Sequence, residues 1–195
     1  MDRGNMDALE LFKARLPLKP YCTEDLDCGL KIRPAKSATQ FPYIQPNTPT
    51  TIGWLVFDMD HDYPYSSMLR YFDVNFPDAT IIAKNQDNGH CHVFYAIATP
   101  VFASPGHLGP LKFLAAIQEA IRIKLDADAG YCGLIAKNPL HSRWHILTHS
   151  AAVYDLAYLA DWLDLAPAKN PAKSPQKAAD TGSQHQTEKI VRLFE

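Results

Sequence analysis

Cysteine is scarce in this chain: four residues among 195, at positions 22, 28, 91 and 132, with no Cys-x-x-Cys spacing. That excludes a small disulfide-stapled scaffold and makes buried thiols in a reducing compartment the expectation. No run of about 18 apolar residues exists to span a bilayer, and the opening Met1-Asp-Arg-Gly-Asn-Met6 lacks the apolar region of a signal peptide. The sequence therefore reads as a soluble, cytoplasmic protein with no membrane partner. An excess of one charge is missing too, since 19 Lys and Arg stand against 21 Asp and Glu for a formal charge of -2. A globally basic nucleic-acid coat is thereby excluded, and any polyanion has to be met by a few placed cations.

What is present is apolar material, 47% of residues, enough for one substantial core with at most a small appendage. The most informative stretch is Trp54-Leu-Val-Phe-Asp-Met-Asp-His-Asp-Tyr63, an apolar run that ends in carboxylates on alternate residues. Read as a strand, Trp54 to Phe57 are buried on both faces. Asp58 and Asp60 project from one face at its carboxyl end, their Cα atoms roughly 7 Å apart. Both can lean toward a common hard cation or cation pair, which carboxylate oxygens hold better than imidazole or thiolate does. A calcium loop fits poorly, because Tyr63 stands where the sharp turn needs Gly and Leu69 where a bidentate Glu is needed.

Around this stretch, Asp7 to Arg15 reads as a short helix closed by Pro17 and Pro20. From Thr23 to Thr51 the chain is polar and Pro-rich, an ordered loop or set of short edge strands. Its Lys31, Arg33 and Lys36 either approach a nucleic acid or form a solvated face. A helix is expected over 66–72, a buried strand over 80–83 and a hairpin turn at Asn88-Gly89. A strand over 90–98 puts His90, His92 and Phe94 on one face. Pro110 and apolar residues at 111, 114, 117, 121 and 125 mark a helix over 109–125. A turn with Asp126 and Asp128 follows, then a short segment at 132–136 and a strand over 143–148. The expected last element is an amphipathic helix over 153–165 with Leu156, Leu159, Trp162 and Leu163 inward. Residues 167–188 have linker composition, and 189–195 turn apolar as if opening a further module. The pattern predicts an α+β domain over 1–166, a mixed sheet with flanking helices, with acids and histidines on one sheet face.

Asp58, Asp60 and a third acid, Asp126 or Asp128, can hold a cation pair about 4 Å apart, as nucleotidyl transfer requires. His92, or His90 beside it, can donate to a triphosphate oxygen. Lys84, Lys137 and Arg143 are candidate phosphate or template contacts, and Arg33 a candidate DNA contact. For each the competing role is structural: a hydrogen-bonded core histidine, or plain surface charge. A zinc site from Cys22, Cys28 and the histidines near residue 90 is a further alternative.

Several motifs stand in a recognisable order: Tyr43-Ile-Gln45-x-Asn47, Trp54-Leu-Val-Phe-Asp58-x-Asp60, Asn88-Gly-His-x-His92 with Tyr95, and Asp128-Ala-Gly-Tyr131-x-Gly133. Lys137-Asn-Pro139-x-His141, Trp144 and Tyr154-x-Leu156-x-x-Leu159 complete the set. The ensemble resembles the archaeo-eukaryotic primase superfamily and, over most of residues 33 to 163, the replicase family of colicin-E-type theta-plasmid initiators. The resemblance implies a primase-like core with an RRM-like palm, acting as a DNA primase in the bacterial cytoplasm. It would lay down a short RNA primer from NTPs on single-stranded plasmid origin DNA, for a host DNA polymerase to extend. It also implies magnesium or manganese on Asp58, Asp60 and the third acid, His92 on the incoming triphosphate, and origin recognition in a following C-terminal region.

His90-Cys91-His92 and the pair Tyr154 and Tyr158, one helical turn apart, also resemble rolling-circle initiators and relaxases. There, two histidines bind a metal and a tyrosine attacks DNA, which gives the acids before Tyr63 no job. A third reading is a non-catalytic module that stacks single-stranded bases on Phe41 and Tyr43. Clustered acids at one strand end would repel that ligand.

Overall fold

The computed structural model describes residues 7–60, 76–104, 108–148 and 152–165. The helix expected over 66–72 and the segments 167–188 and 189–195 lie outside these described residues. In chain order the elements are α1 (Ala8–Ala14), β1 (Tyr21–Thr23), β2 (Lys31–Ile32), α2 (Ala35–Ala38), β3 (Tyr43–Ile44), β4 (Thr51–Met59) and β5 (Ile81–Lys84). There follow β6 (Cys91–Phe102), α3 (Leu108–Leu125), β7 (Ala136–Lys137), β8 (His145–Leu147), β9 (Val153–Tyr154) and α4 (Leu156–Ala160). No helix among them is long and apolar enough to cross a membrane.

Two sheets form. The larger has the order β4-β6-β5-β8, antiparallel throughout, with β9 added parallel to β6. The smaller is an antiparallel ribbon in the order β2-β1-β3-β7. Strand alternation sorts the side chains of β4 and β6 onto two faces. Leu55, Phe57 and Met59, with Cys91, Val93, Tyr95 and Ile97, pack under α3, whose Leu114, Ile117, Ile121 and Leu125 recur at helical spacing. Trp54, Val56, Phe94 and Ala96 face the other way, onto Phe12 of α1 and onto Ile44 and Ala136 of the small sheet. Both faces are covered, which is why Trp54 to Phe57 is a continuous apolar run. Phe12 meets Trp54 at 5.4 Å and Phe94 edge-on at 5.7 Å.

The register of β4 is pinned by Asn47. Its Oδ1 accepts from the N–H groups of Gly53 and Trp54 at 2.9 and 3.0 Å, and its amide donates to Trp54 O at 2.8 Å. This brackets the irregularity between Ile52 and Trp54.

The structure corrects three expectations. Residues 153–165 are not one helix: Val153 and Tyr154 pair with β6, α4 begins only at Leu156, and Trp162 is 41% exposed instead of inward. Thr80 donates its hydroxyl to Ala152 O at 2.8 Å and so draws the chain alongside β6 before the helix can start. β6 runs on to Phe102, because Pro100 falls in the irregular stretch between the pairs Trp54↔Ala96 and Ile52↔Val101. The zinc alternative has no geometry behind it, since among the described residues the group with converging ligand atoms is acidic. Buried Cys22 instead lies 3.5 Å from Lys31 O.

Candidate active site

β4 and β6 deliver the first two groups. Asp58 pairs in register with His92, and His92 with Ala83 on its other side. His92 Nε2 lies 3.0 Å from Asp58 Oδ1. The backbone N–H of Lys137 in β7 donates to His92 Nδ1 at 2.8 Å. Lys137 also points its ammonium at the same acid, Nζ standing 3.7 Å from Asp58 Oδ1.

The third acid arrives by a turn. α3 ends at Leu125, and Asp126 takes a left-handed conformation with φ 51 that reverses the chain. Asp128 N–H then donates to the carbonyl of Asp58 at 2.9 Å, stitching the turn to β4. Asp128 Oδ1 accepts from Gly130 N–H at 2.8 Å, and a side chain at 130 would put its Cβ 3.4 Å from that oxygen. Arg122 braces the turn from behind: it pairs with Glu119 at 2.8 Å through two nitrogens and donates to Ala127 O at 3.2 Å. Sequence reasoning missed Arg122; its only trace there is the Glu119/Arg122 spacing on the helix.

One carboxylate oxygen from each of Asp58, Asp60 and Asp128 lies within 4.8 Å of the others. Asp126 is not among them. Asp58 Oδ1 is buried and, despite the nearness of His92, has no well-aligned hydrogen bond. A buried oxygen without a full partner is costly, and a cation would relieve it. Three carboxylates with no thiolate suit a hard divalent ion, so the residues fit the metal the sequence implies.

The charges reflect this crowding. Burial pushes the Asp58 carboxyl up, but the close approach of His92 and the neighbouring Lys137 outweigh it and hold the group below the usual carboxylate range. Burial and the charge of Asp58 hold Asp60 above that range. Burial keeps His92 neutral, against the pull of Asp58.

The Replicase family model matches residues 15–163. This chain belongs to the Replicase family. Among solved structures, the replicase fold is similar to the AEP domain of the cyanophage S-2L primase-polymerase (PrimPol), with a TM-score of 0.56 and 12% identity. That match covers 84% of this chain and 98% of the other, and it establishes the archaeo-eukaryotic primase type of α+β fold anticipated from the sequence. No curated protein matches significantly.

The remaining candidates of this replicase are distributed unevenly. His90 lies beside Asp60, its Nδ1 3.4 Å from Oδ1 and its side chain 33% exposed. Arg143 stacks over Trp144 at 5.3 Å and donates to Glu24 O at 3.4 Å, while Lys137 approaches the same indole at 5.9 Å. Lys84 pairs with Cys91 and, by alternation, stands on the α3 side of the sheet, away from the acids. Arg33 follows β2, the far edge of the small sheet. Tyr154 sits opposite Ile97, five residues along β6 from His92 or roughly 16 Å, and packs on the α3 side. Its hydroxyl donates to Asp78 O at 2.7 Å and is pushed up to about 12 by burial and the charge of Asp78. The replicase therefore does not bring Tyr154, or Tyr158 stacked on it at 5.9 Å, to its histidines. Tyr43 packs edge-on against Trp144 at 5.3 Å, and Phe41 packs against the same core.

Proposed function

We propose that this replicase domain is a metal-dependent nucleotidyltransferase that primes DNA replication, joining ribonucleotides on a single-stranded DNA template. The observation that carries the reading is the meeting of Asp58, Asp60 and Asp128 within 4.8 Å, from two distant parts of the chain. Asp58, Asp60 and Asp128 would hold magnesium or manganese, which when bound supplies activation of the attacking hydroxyl and neutralisation of the leaving pyrophosphate. The 3′ oxygen of one nucleotide would bond to the α-phosphorus of the next as the bond to pyrophosphate breaks. The protein's own groups prepare for this by position. Asp58 is kept ionised, with a buried oxygen left short of partners. Lys137 beside Asp58 and the half-buried His90 beside Asp60 give cationic or donor groups for a triphosphate that reaches the acids. Arg143, on the same indole as Lys137, extends this set, whereas Lys84 on the opposite face stays outside it. Arg33, on the small-sheet edge, is assigned to the template strand. The motif resemblance to theta-plasmid initiators suggests a setting at a plasmid origin in the bacterial cytoplasm, with the primer passed to a host DNA polymerase.

The test is incubation with single-stranded DNA, ribonucleotides and manganese. Short RNA products are expected, and they should vanish in the Asp58→Asn, Asp60→Asn double variant while its circular dichroism stays native. Synthesis by that variant overturns the metal assignment. A denaturation-resistant protein-DNA adduct lost on changing Tyr154 and Tyr158 to Phe would favour the relaxase reading.

A further inference from the structure

Lys137 opens the run Lys137-Asn-Pro139-x-His141, with Trp144 following, and the fold turns several of these residues to one task. We infer that Trp144 is a positioning residue whose indole is a second seat for the Lys137 ammonium, taken when a divalent cation displaces that ammonium from Asp58; the inference rests on the metal-dependent reading above. The indole is held in place. Its Nε1–H donates to Pro42 O at 2.6 Å, the same carbonyl that accepts from Asn138 N–H at 2.8 Å. The fully buried Asn138 donates its amide to Thr39 O at 3.0 Å and to Phe41 O at 2.8 Å, which fixes that loop, and accepts from Leu140 N–H at 3.0 Å. Tyr43 meets the ring edge-on at 5.3 Å, and Trp144 is only 5% exposed.

The ammonium has two neighbours of different kinds. Nζ lies 3.7 Å from Asp58 Oδ1 and 5.9 Å from the centroid of the Trp144 ring, within the range of a cation–π attraction. The backbone of Lys137 is fixed, since its N–H donates to His92 Nδ1 and the residue pairs with Tyr43 across β3 and β7. Movement is left to the side chain. That side chain is 10% exposed, so water offers little refuge, and a buried ammonium needs a partner. In the metal-free protein Asp58 is that partner. A divalent cation on Asp58, Asp60 and Asp128 repels the ammonium from the oxygen it faces, and the indole receives it. Arg143 draws on the same ring at 5.3 Å but also gives a donor to Glu24 O at 3.4 Å, so the indole is not its sole partner. Lys137 is a stand-in cation, and Trp144 is what lets it yield.

The experiment is a double-mutant cycle on manganese affinity of the nucleotide-free full chain, measured by EPR or calorimetry. It takes Lys137→Met and Trp144→Leu singly and together, with Trp144→Phe and Asp58→Asn beside them. Lys137→Met should bind manganese several-fold more tightly than wild type, because no ammonium has to move. Trp144→Leu should bind it about 3- to 30-fold more weakly, the range that a cation–π contact spans. In the Lys137→Met background the same Leu substitution should change nothing. Trp144→Phe loses the bond to Pro42 as Leu does but keeps an aromatic face, so it should fall between Leu and wild type. It also replaces Leu in the cycle should the Leu variant fail to fold. Wild-type manganese affinity in the Trp144 variants overturns the second seat. So does a loss that persists in the Lys137→Met background, which marks Trp144 as a structural prop. Asp58→Asn separates the two levels. If it loses manganese while the cycle shows no coupling, only the role of Trp144 falls; if it too keeps manganese, the metal reading falls.

Discussion

The two faces of the central sheet are made by the same strands and differ in kind. Toward α3, β4 and β6 present hydrocarbon and aromatic rings from Leu55 to Met59 and from Cys91 to Ile97, sealed by one long helix. Toward the small sheet, the same strands present Trp54, Val56 and Phe94 and then change to Asp58 and His92 at one end. One register thus serves both purposes: the closed face immobilises the strands, and the open end of the other face inherits that rigidity as placed oxygens. The placement of the acids is borrowed from packing on the reverse side.

The comparison can be broken from either face. The largest effect belongs to the polar end: Asp58→Asn with Asp60→Asn should cut primer synthesis on the order of a thousandfold or more, as loss of several kcal/mol of transition-state stabilisation implies. Its melting temperature should barely move. Next, truncating the closed face with Ile117→Ala, a fully buried residue of α3, should cost about 2–5 kcal/mol in denaturant unfolding. Activity per folded molecule should survive. If Ile117→Ala instead abolishes activity at full folding, the two faces are not separable. Manganese at about a hundred times its dissociation constant should then stabilise the fold by about 2.7 kcal/mol, a gain that EDTA removes and that the double Asn variant never shows.

The smallest effect sharpens the electrostatics. Asp60 is held above the usual carboxylate range by burial and by Asp58, so its charge works against the metal-free fold. For an acid with a raised folded pKa, stability rises as pH falls through the ordinary carboxylate range and the group takes up its proton. Asp60→Asn alone should therefore raise the metal-free melting temperature slightly, and should flatten its pH dependence just above the ordinary carboxylate range. A lower melting temperature would mean that the contact with His90 outweighs the repulsion.

Much of this was legible in the letters, where a rule of period or composition was strong. The apolar run ending at Asp58, the helix of Leu114, Ile117 and Ile121, and the strand carrying His92 all follow from alternation or helical spacing. The small sheet was not legible, because strands of two or three residues are too short to show a period. His90 and His92 share parity, so a pattern cannot rank them; only the register with Asp58 and the burial of one ring separates them. Asp126 and Asp128 share parity too. The choice between them is made by the left-handed backbone at Asp126 and a single amide bond to β4, neither of which composition reveals.

That amide bond, from Asp128 N–H to Asp58 O, is indifferent to spelling. Every amino acid but proline carries the donor, so residues around the turn are free to drift while the two acids stay tethered. Proline at 128 would cut the tether and the carboxylate together, and alanine there would remove only the second. Comparing those two variants would tell how far the site depends on a main-chain hinge that no motif search can read.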